Sequence, residues 1–183
     1  MKYIILSISL LFFFNGFSYN YDFEDHFKEA YHLYPSIPLG ILEAVSYTQT
    51  RMQHLNVKES SCIGIPKLYG VMGLVLDGKN YFNNNLNLIS KTSGYTIDSI
   101  MNSPRLNILS YAKAFSVHQK KLNIESADIN QNLQVLKILS EIPFNNNTQK
   151  FAFESYLYSV LYFLSNDDFM NKMGYNDIQN INF

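Results

Sequence analysis

The chain has 183 residues, of which 47% are hydrophobic and 15% aromatic, and this is enough apolar material for the core of one compact domain. Its 14 Lys and Arg against 15 Asp and Glu give a formal net charge of -1, and no basic run is present that would neutralise a row of phosphates. The composition therefore predicts a single domain and gives no support for nucleic-acid binding.

The first 18 residues have the pattern of a secretory signal peptide. Lys2 precedes an apolar run from Tyr3 to Phe14, and small or polar residues follow the run. The run is shorter than the ~20 apolar residues that a membrane-spanning helix needs. We expect residues 1–18 to be removed on export, which leaves one secreted or periplasmic domain over 19–183 that is not integral to the membrane. An uncleaved N-terminal anchor is the alternative.

Eight helices are predicted, because the apolar residues recur at helical spacing with almost no alternation of the kind that strands show. In chain order the predicted helices cover 24–34, 38–52, 81–94, 95–103, 104–123, 125–142, 148–166 and 167–173. Prolines mark several boundaries: Pro35 ends the first helix, and Pro38 and Pro104 begin two others. The glycines and the proline between residues 56 and 80 predict an irregular segment. The fold class is therefore all-α, with one irregular segment between the second and third helices.

The helix predicted over 148–166 is apolar almost all round. Such a pattern indicates a buried helix, so we expect it to be the most buried helix of the C-terminal half. Its Phe and Tyr residues are interpreted as core packing and not as an aromatic platform for sugars.

Two stretches near the start of the domain resemble a known family. "PLGILEAVSYTQTR" is a helix begun by Pro38, and "YGVMGL" follows it at Tyr69 after the irregular segment. With the later "SPRLNILSYAKAF", this order resembles the soluble lytic transglycosylases and goose-type lysozymes. In that family a catalytic helix ends in a Glu-Ser pair and is followed by a Gly-Leu-Met-Gln type turn. The resemblance implies a lysozyme-like helical fold.

A narrower likeness joins "SYTQTRMQHL", "YGVMGL" and the aromatic "FAFESYLYSVLYFL". These stretches are similar to the N-terminal domain of exported N-acetylmuramoyl-L-alanine amidases of Bacteroidetes-type bacteria, in which a zinc amidase domain follows. The resemblance implies peptidoglycan as the partner.

The residue at the catalytic position is Gln49, with Thr50 in place of the family's Ser. Cleavage of a glycosidic bond needs a carboxylic acid to protonate the leaving oxygen, and an amide cannot do this. Gln49 still has hydrogen-bonding groups for a glycan, or alternatively it is a buried Gln bound by backbone groups of the turn.

Other acids are weak candidates for the missing role. Glu43 lies six residues before Gln49, a rotation of ~240° that places it on another face of the helix. Glu59 and Asp77 lie in the irregular segment, from which either could reach a cleft, although each is more commonly a solvated loop charge.

A metal site is not predicted. The four histidines, His26, His32, His54 and His118, fall on different elements with no i, i+4 pair, so no ligand set for a zinc amidase is present. Cys62 is the only cysteine and cannot form an internal disulfide. We interpret it as structural, with a nucleophilic role as the alternative.

The sequence thus predicts an exported lysozyme-like domain that binds peptidoglycan glycan strands without a cofactor, and that lacks the catalytic acid. The predicted substrate-binding residues are Gln49, Arg51, Tyr69, Met72 and Tyr111. Arg51 would hold a carboxylate of the stem peptide, or pair with an acid of the fold; Tyr69 and Tyr111 would stack on sugars, or pack in the core. The alternatives are an active peptidoglycan hydrolase or lytic transglycosylase that uses another acid, part of an N-acetylmuramoyl-L-alanine amidase whose zinc domain is missing from this sequence, and a structural interaction module. A separate amidase is a further candidate partner.

Overall fold

The computed structural model describes residues 23–56 and 66–175, so the signal segment, Glu59 and Cys62 lie outside the described residues. Within these ranges the chain is dominated by helices, as the sequence predicts. The elements are α1 (Glu24–Leu33), α2 (Ile41–Thr50), β1 (Leu55–Asn56), β2 (Leu68–Gly70), β3 (Leu74–Val75), α3 (Asn85–Ser93), α4 (Ile97–Asn102), α5 (Pro104–Lys121), α6 (Ile129–Leu139), α7 (Asn147–Leu164) and α8 (Asp167–Lys172). In this part of the chain, no helix has the length and hydropathy needed to cross a membrane.

The segment predicted to be irregular contains a small antiparallel sheet in the order β1-β2-β3. Leu55 pairs with Gly70, and Leu68 pairs with Val75. Strands of two or three residues are too short to show an alternating pattern, which is why the sequence does not predict them.

Helix α5 is the central element of the fold. The Ser103 side chain caps its first turn by accepting a hydrogen bond from the Leu106 backbone N–H, and Pro104 begins the helix. Helices α1, α3, α4 and α6 all pack against it. Ile108, Tyr111, Ala112 and Phe115 recur at helical spacing and are all buried, and the helix lies within the range 104–123 that the sequence predicts.

Helix α7 is less buried than predicted. Phe151, Tyr158 and Tyr162 are 72%, 68% and 49% exposed, while the opposite face, which includes Phe153 and Tyr156, is buried. The helix is therefore amphipathic with aromatic residues on both faces. The prediction was wrong because it treated tyrosine as apolar, whereas the phenol ring has a polar hydroxyl and is tolerated at the surface.

Glu43 is a fully buried carboxylate that joins three parts of the chain. Its oxygens accept hydrogen bonds from the hydroxyls of Tyr31 and Tyr175, each at 2.6 Å. The Tyr31 oxygen in turn accepts the Leu42 backbone N–H at 3.1 Å. Glu43 therefore lies on a different face of α2 from Gln49, as its spacing predicts, and it joins α2 to α1 and to Tyr175, three residues beyond the end of α8.

The turn between β2 and β3 is attached to α5 by Asn107, whose side chain is fully buried. Its Oδ1 accepts the Met72 backbone N–H at 2.7 Å, and its Nδ2 donates to the carbonyls of Ile100 at 3.2 Å and Tyr69 at 3.5 Å. Gly70 has φ +74°, and a Cβ added there would lie 2.0 Å from this Nδ2. Glycine is therefore required at this position for both its conformation and its size.

We expect Asn107→Ala to lower the free energy of unfolding by ~2–4 kcal/mol, because it leaves a buried N–H and buried carbonyls without partners. Urea denaturation followed by circular dichroism measures the change. Asn130→Ala, at an exposed position of α6, is the matched control and should change stability by less than ~0.5 kcal/mol. Equal midpoints for the two variants would show that Asn107 does not hold the turn.

Candidate functional site

The C-terminal end of α2 binds the turn between β2 and β3. The Ser46 hydroxyl donates to the Val71 carbonyl at 3.0 Å, and the Thr50 hydroxyl lies 2.7 Å from the same oxygen. Ser46 and Thr50 are four residues apart, so they share one face of the helix. Gly73 approaches closely as well, since a Cβ added there would lie 2.6 Å from the Cβ of Gln49. Gln49 therefore lies against the turn, which is the position that the predicted site requires.

Gln49 forms a side-chain pair with Glu141. The Gln49 Nε2 is 3.0 Å and 2.9 Å from the two carboxylate oxygens of Glu141. Both side chains are half-buried, so both keep some contact with solvent. A carboxyl group from the segment after α6 is thus within hydrogen-bonding distance of Gln49, the residue that the sequence resemblance predicts at the acid position.

An asparagine cluster, residues Asn83–Asn85, places Glu141 beside Gln49. The Asn83 backbone N–H donates to the Glu141 carbonyl at 2.7 Å, and its side chain donates to the carbonyls of Ser140 and Ile142. Asn85 donates to the Leu139 carbonyl at 2.9 Å and accepts the Val75 N–H at 2.7 Å. The segment that carries Glu141 is therefore held by its backbone.

Burial raises the pKa of Glu141 above its usual value, and the hydrogen bonds from Gln49 and from the Glu141 backbone N–H offset part of this rise. No Lys, Arg or His nitrogen of the described residues lies within 4.0 Å of its carboxylate. Burial also raises the pKa of Tyr111 and Tyr156, and the nearby Glu141 charge adds to both effects. The two tyrosines are hydrogen-bonded to each other and form a buried wall beside the carboxyl group.

Two predicted ligand contacts need correction. Met72 is 1% exposed and Tyr111 is 2% exposed, so neither side chain presents a surface to a ligand. Both side chains belong to the core, and Tyr111 lies near Glu141. Tyr69 is half-buried on β2 and packs against the core.

Arg51 lies on a different side of the α2 terminus from the Gln49–Glu141 pair. Its guanidinium donates to the Tyr47 and Thr48 carbonyls, and it lies 5.1 Å from the centre of the Tyr47 ring. It lines a pocket of ≈ 160 Å³ with Tyr158 and Tyr162 of α7. Among the described residues no carboxylate pairs with Arg51.

Asp77 has a structural environment. Its carboxylate accepts backbone N–H bonds from Lys79, Tyr81 and Phe82, and these bonds lower its pKa. A general acid must keep its proton near the working pH, so this lowered pKa opposes a role as proton donor. Glu59, the other weak candidate, lies outside the described residues.

In the two described ranges, no three His, Cys, Asp or Glu side chains group together as metal ligands would. His54 and His118 are in separate environments, each with one buried ring nitrogen that has no hydrogen-bond partner. Burial lowers the pKa of both histidines.

Glu141 is the site residue that sequence reasoning missed. It is 92 residues from Gln49 along the chain, and no local pattern relates the two. The sequence contains one signal for this contact, the run of three asparagines at 83–85. Asparagine side chains often hydrogen-bond to backbone groups in loops, so such a run indicates a place where two loops meet.

The raised pKa of Glu141 predicts a stability that depends on pH. A folded-state pKa above the unfolded value contributes stability that is present at low pH and is lost as pH rises through the folded pKa. We therefore expect the free energy of unfolding of the isosteric Glu141→Gln variant to rise relative to that of the native protein as pH increases from 4.5, the ordinary value for a Glu carboxyl group, through the raised pKa of Glu141.

Urea denaturation across this pH range measures the effect. Glu154→Gln, an exposed change on α7, controls for the loss of one negative charge. Parallel pH profiles for the native protein and Glu141→Gln would contradict a raised pKa at Glu141.

No protein-family model matches the chain, and neither a curated protein nor a solved structure is significantly similar to it.

Proposed function

We propose that the protein is an exported lysozyme-like domain that binds the glycan strands of peptidoglycan. The proposed binding surface is formed by the half-buried Gln49, at the end of α2, and the half-buried Glu141, which lie beside the buried turn at residues 70–73. The observation that carries the proposal is the attachment of this turn to α2 through Ser46 and Thr50, which sets Gln49 against Gly73. The family likeness predicts the same neighbours, because its catalytic helix and its glycine-rich turn form one site.

The chemistry of the pair suits a sugar ligand. Glycan hydroxyl and acetamide groups both donate and accept hydrogen bonds, and Gln49 and Glu141 together provide a donor and several acceptors. Both groups project from backbone that is fixed by buried hydrogen bonds, so little freedom is lost when a ligand binds.

The Arg51 pocket supports a second contact on the same polymer. Arg51 is exposed, has no carboxylate partner among the described residues, and is held by carbonyls of its own helix. A guanidinium of this kind binds carboxylates, which peptidoglycan carries on its stem peptides. The exposed Tyr158 and Tyr162 rings, with centroids 6.4 Å apart, provide apolar faces beside it.

We expect the purified protein to sediment with purified sacculi, and Arg51→Gln to weaken this binding about tenfold, equivalent to ~1.4 kcal/mol. The loss follows from removal of the charge that would hold the stem-peptide carboxylate. Dissociation constants are obtained by sedimenting a fixed amount of protein with increasing amounts of sacculi.

Lys120→Gln, which removes an exposed charge at the end of α5, is the matched control and should bind like the native protein. The proposed function is wrong if the native protein stays in the supernatant at every sacculus concentration. Equal weakening by both variants would instead indicate attraction between net charges.

A further inference from the structure

We propose that a pocket beside α6 is a binding site for an acidic segment of a peptide. The pocket has a volume of ≈ 470 Å³ and lies between the asparagine cluster, the outer face of α6 and residues 142–144. Neither Gln49, Glu141 nor Arg51 lines it. The inference therefore goes beyond the proposed glycan-binding function and does not depend on it.

The walls of this pocket are attached to each other without a ligand. The Asn83 side chain donates to the carbonyls of Ser140 at 3.2 Å and Ile142 at 3.1 Å, which ties the asparagine cluster to the segment after α6. The Asn84 side-chain oxygen accepts the Asp77 backbone N–H. The volume lies in the ~300–1,000 Å³ range of ligand pockets, and a pocket formed in advance loses little conformational freedom when a ligand binds.

Lys137 gives the pocket a positive charge in a defined position. Its ammonium nitrogen lies 3.4 Å from the centre of the Phe144 ring, and that ring packs edge-on against Phe153 at 5.7 Å. The Lys150 nitrogen lies 5.7 Å from the same ring centre. An aromatic ring attracts a cation but does not neutralise it, and no carboxylate of the described residues lies within 4.0 Å of either nitrogen. The two cations therefore favour an anionic ligand.

Amide groups with unused hydrogen-bonding capacity line the same pocket. The oxygen of Asn84 is occupied by Asp77, but its Nδ2 has no acceptor among the described residues. The exposed Gln134 side chain has no hydrogen-bond partner there either. Side-chain amides donate to and accept from peptide groups equally well. Leu88 and Ile138, both half-buried, add apolar surface for a neighbouring side chain of the ligand.

The lining favours a peptide over a sugar. A sugar ring stacks its apolar face on an open aromatic face, whereas Phe144, the one aromatic ring of the described residues in this pocket, has the Lys137 ammonium over it. Sugar hydroxyls also pair well with carboxylates, and no described Asp or Glu lines the pocket. An acidic side chain bound by Lys137, with flanking peptide groups bound by Asn84 and Gln134, uses the polar groups that the fold leaves unpaired.

The test compares two N-acetylated and C-amidated peptides, Ala-Ile-Glu-Ile-Ala and Ala-Ile-Gln-Ile-Ala, which differ by one carboxylate. Each is titrated into isotope-labelled protein, and NMR spectra follow the side-chain amide signals of Asn84 and Gln134. We expect the glutamate peptide to shift these signals and to bind at least ~tenfold more tightly than the glutamine peptide, as one hydrogen bond to a charged group would provide.

Lys137→Met keeps an unbranched side chain of similar size and removes the charge, so the preference for the glutamate peptide should disappear. Lys120→Met, which removes an exposed charge at the end of α5, is the matched control and should keep the preference. Circular dichroism verifies that both variants are folded. Gln134→Ala, at an exposed position, is the second variant and should weaken the binding of both peptides alike.

Equal affinity of the native protein for the two peptides, or no binding of either, would overturn the inference. A preference that survives Lys137→Met would also overturn it. Inorganic phosphate and glucuronate are titrated at the same concentrations as further probes. If either shifts the Asn84 and Gln134 signals as strongly as the glutamate peptide does, the peptide assignment is overturned in favour of a general anion site.

Discussion

The arrangement of the site depends on one backbone carbonyl, that of Val71. Two hydroxyls from α2, those of Ser46 and Thr50, are directed at it, and Asn107 of α5 binds the N–H of the next residue. The turn is therefore held from two helices at once, by short and neutral side chains in a buried setting where an unmade hydrogen bond is costly. Gln49 has a defined position relative to the rest of the domain because this turn cannot shift.

The fold accommodates two carboxyl groups in its interior in different ways. Glu43 is fully buried, and tyrosine hydroxyls bind both of its oxygens, so none of its hydrogen-bonding capacity faces solvent. Glu141 is half-buried, and its carboxylate accepts hydrogen bonds from the Gln49 amide and from its own backbone N–H. Ion pairs in the described residues occur only at the surface, between Glu24 and Lys28 and between Glu29 and Arg105, where they add little to stability. The two acids therefore differ in the exposure of the residue and in the groups that bind the carboxylate.

Much of the fold could be predicted because its signals are local. Proline and cap residues such as Ser103 and Pro104 mark helix ends, and the apolar spacing of α5 marks its buried side. The small sheet could not be predicted from strands of two or three residues, and the exposed face of α7 was hidden by its tyrosines. The position of Gln49 against the turn follows from the order of the motifs. Its pairing with Glu141 does not, because it depends on asparagine bonds to backbone groups far along the chain, which leave no periodic pattern.

The orientation of the Gln49 amide carries a consequence of its own. An ionised Glu141 only accepts hydrogen bonds, so the amide nitrogen faces it and the amide oxygen points away from the carboxylate. Once the carboxyl group binds a proton it becomes a donor, and the best partner for that proton is the oxygen on the other side of the amide. Rotation of the amide by half a turn would then place the nitrogen, a donor, where the oxygen, an acceptor, had been. The protonation state of Glu141 would in this way decide whether the neighbouring amide of Gln49 offers a hydrogen-bond acceptor or a donor on its far side.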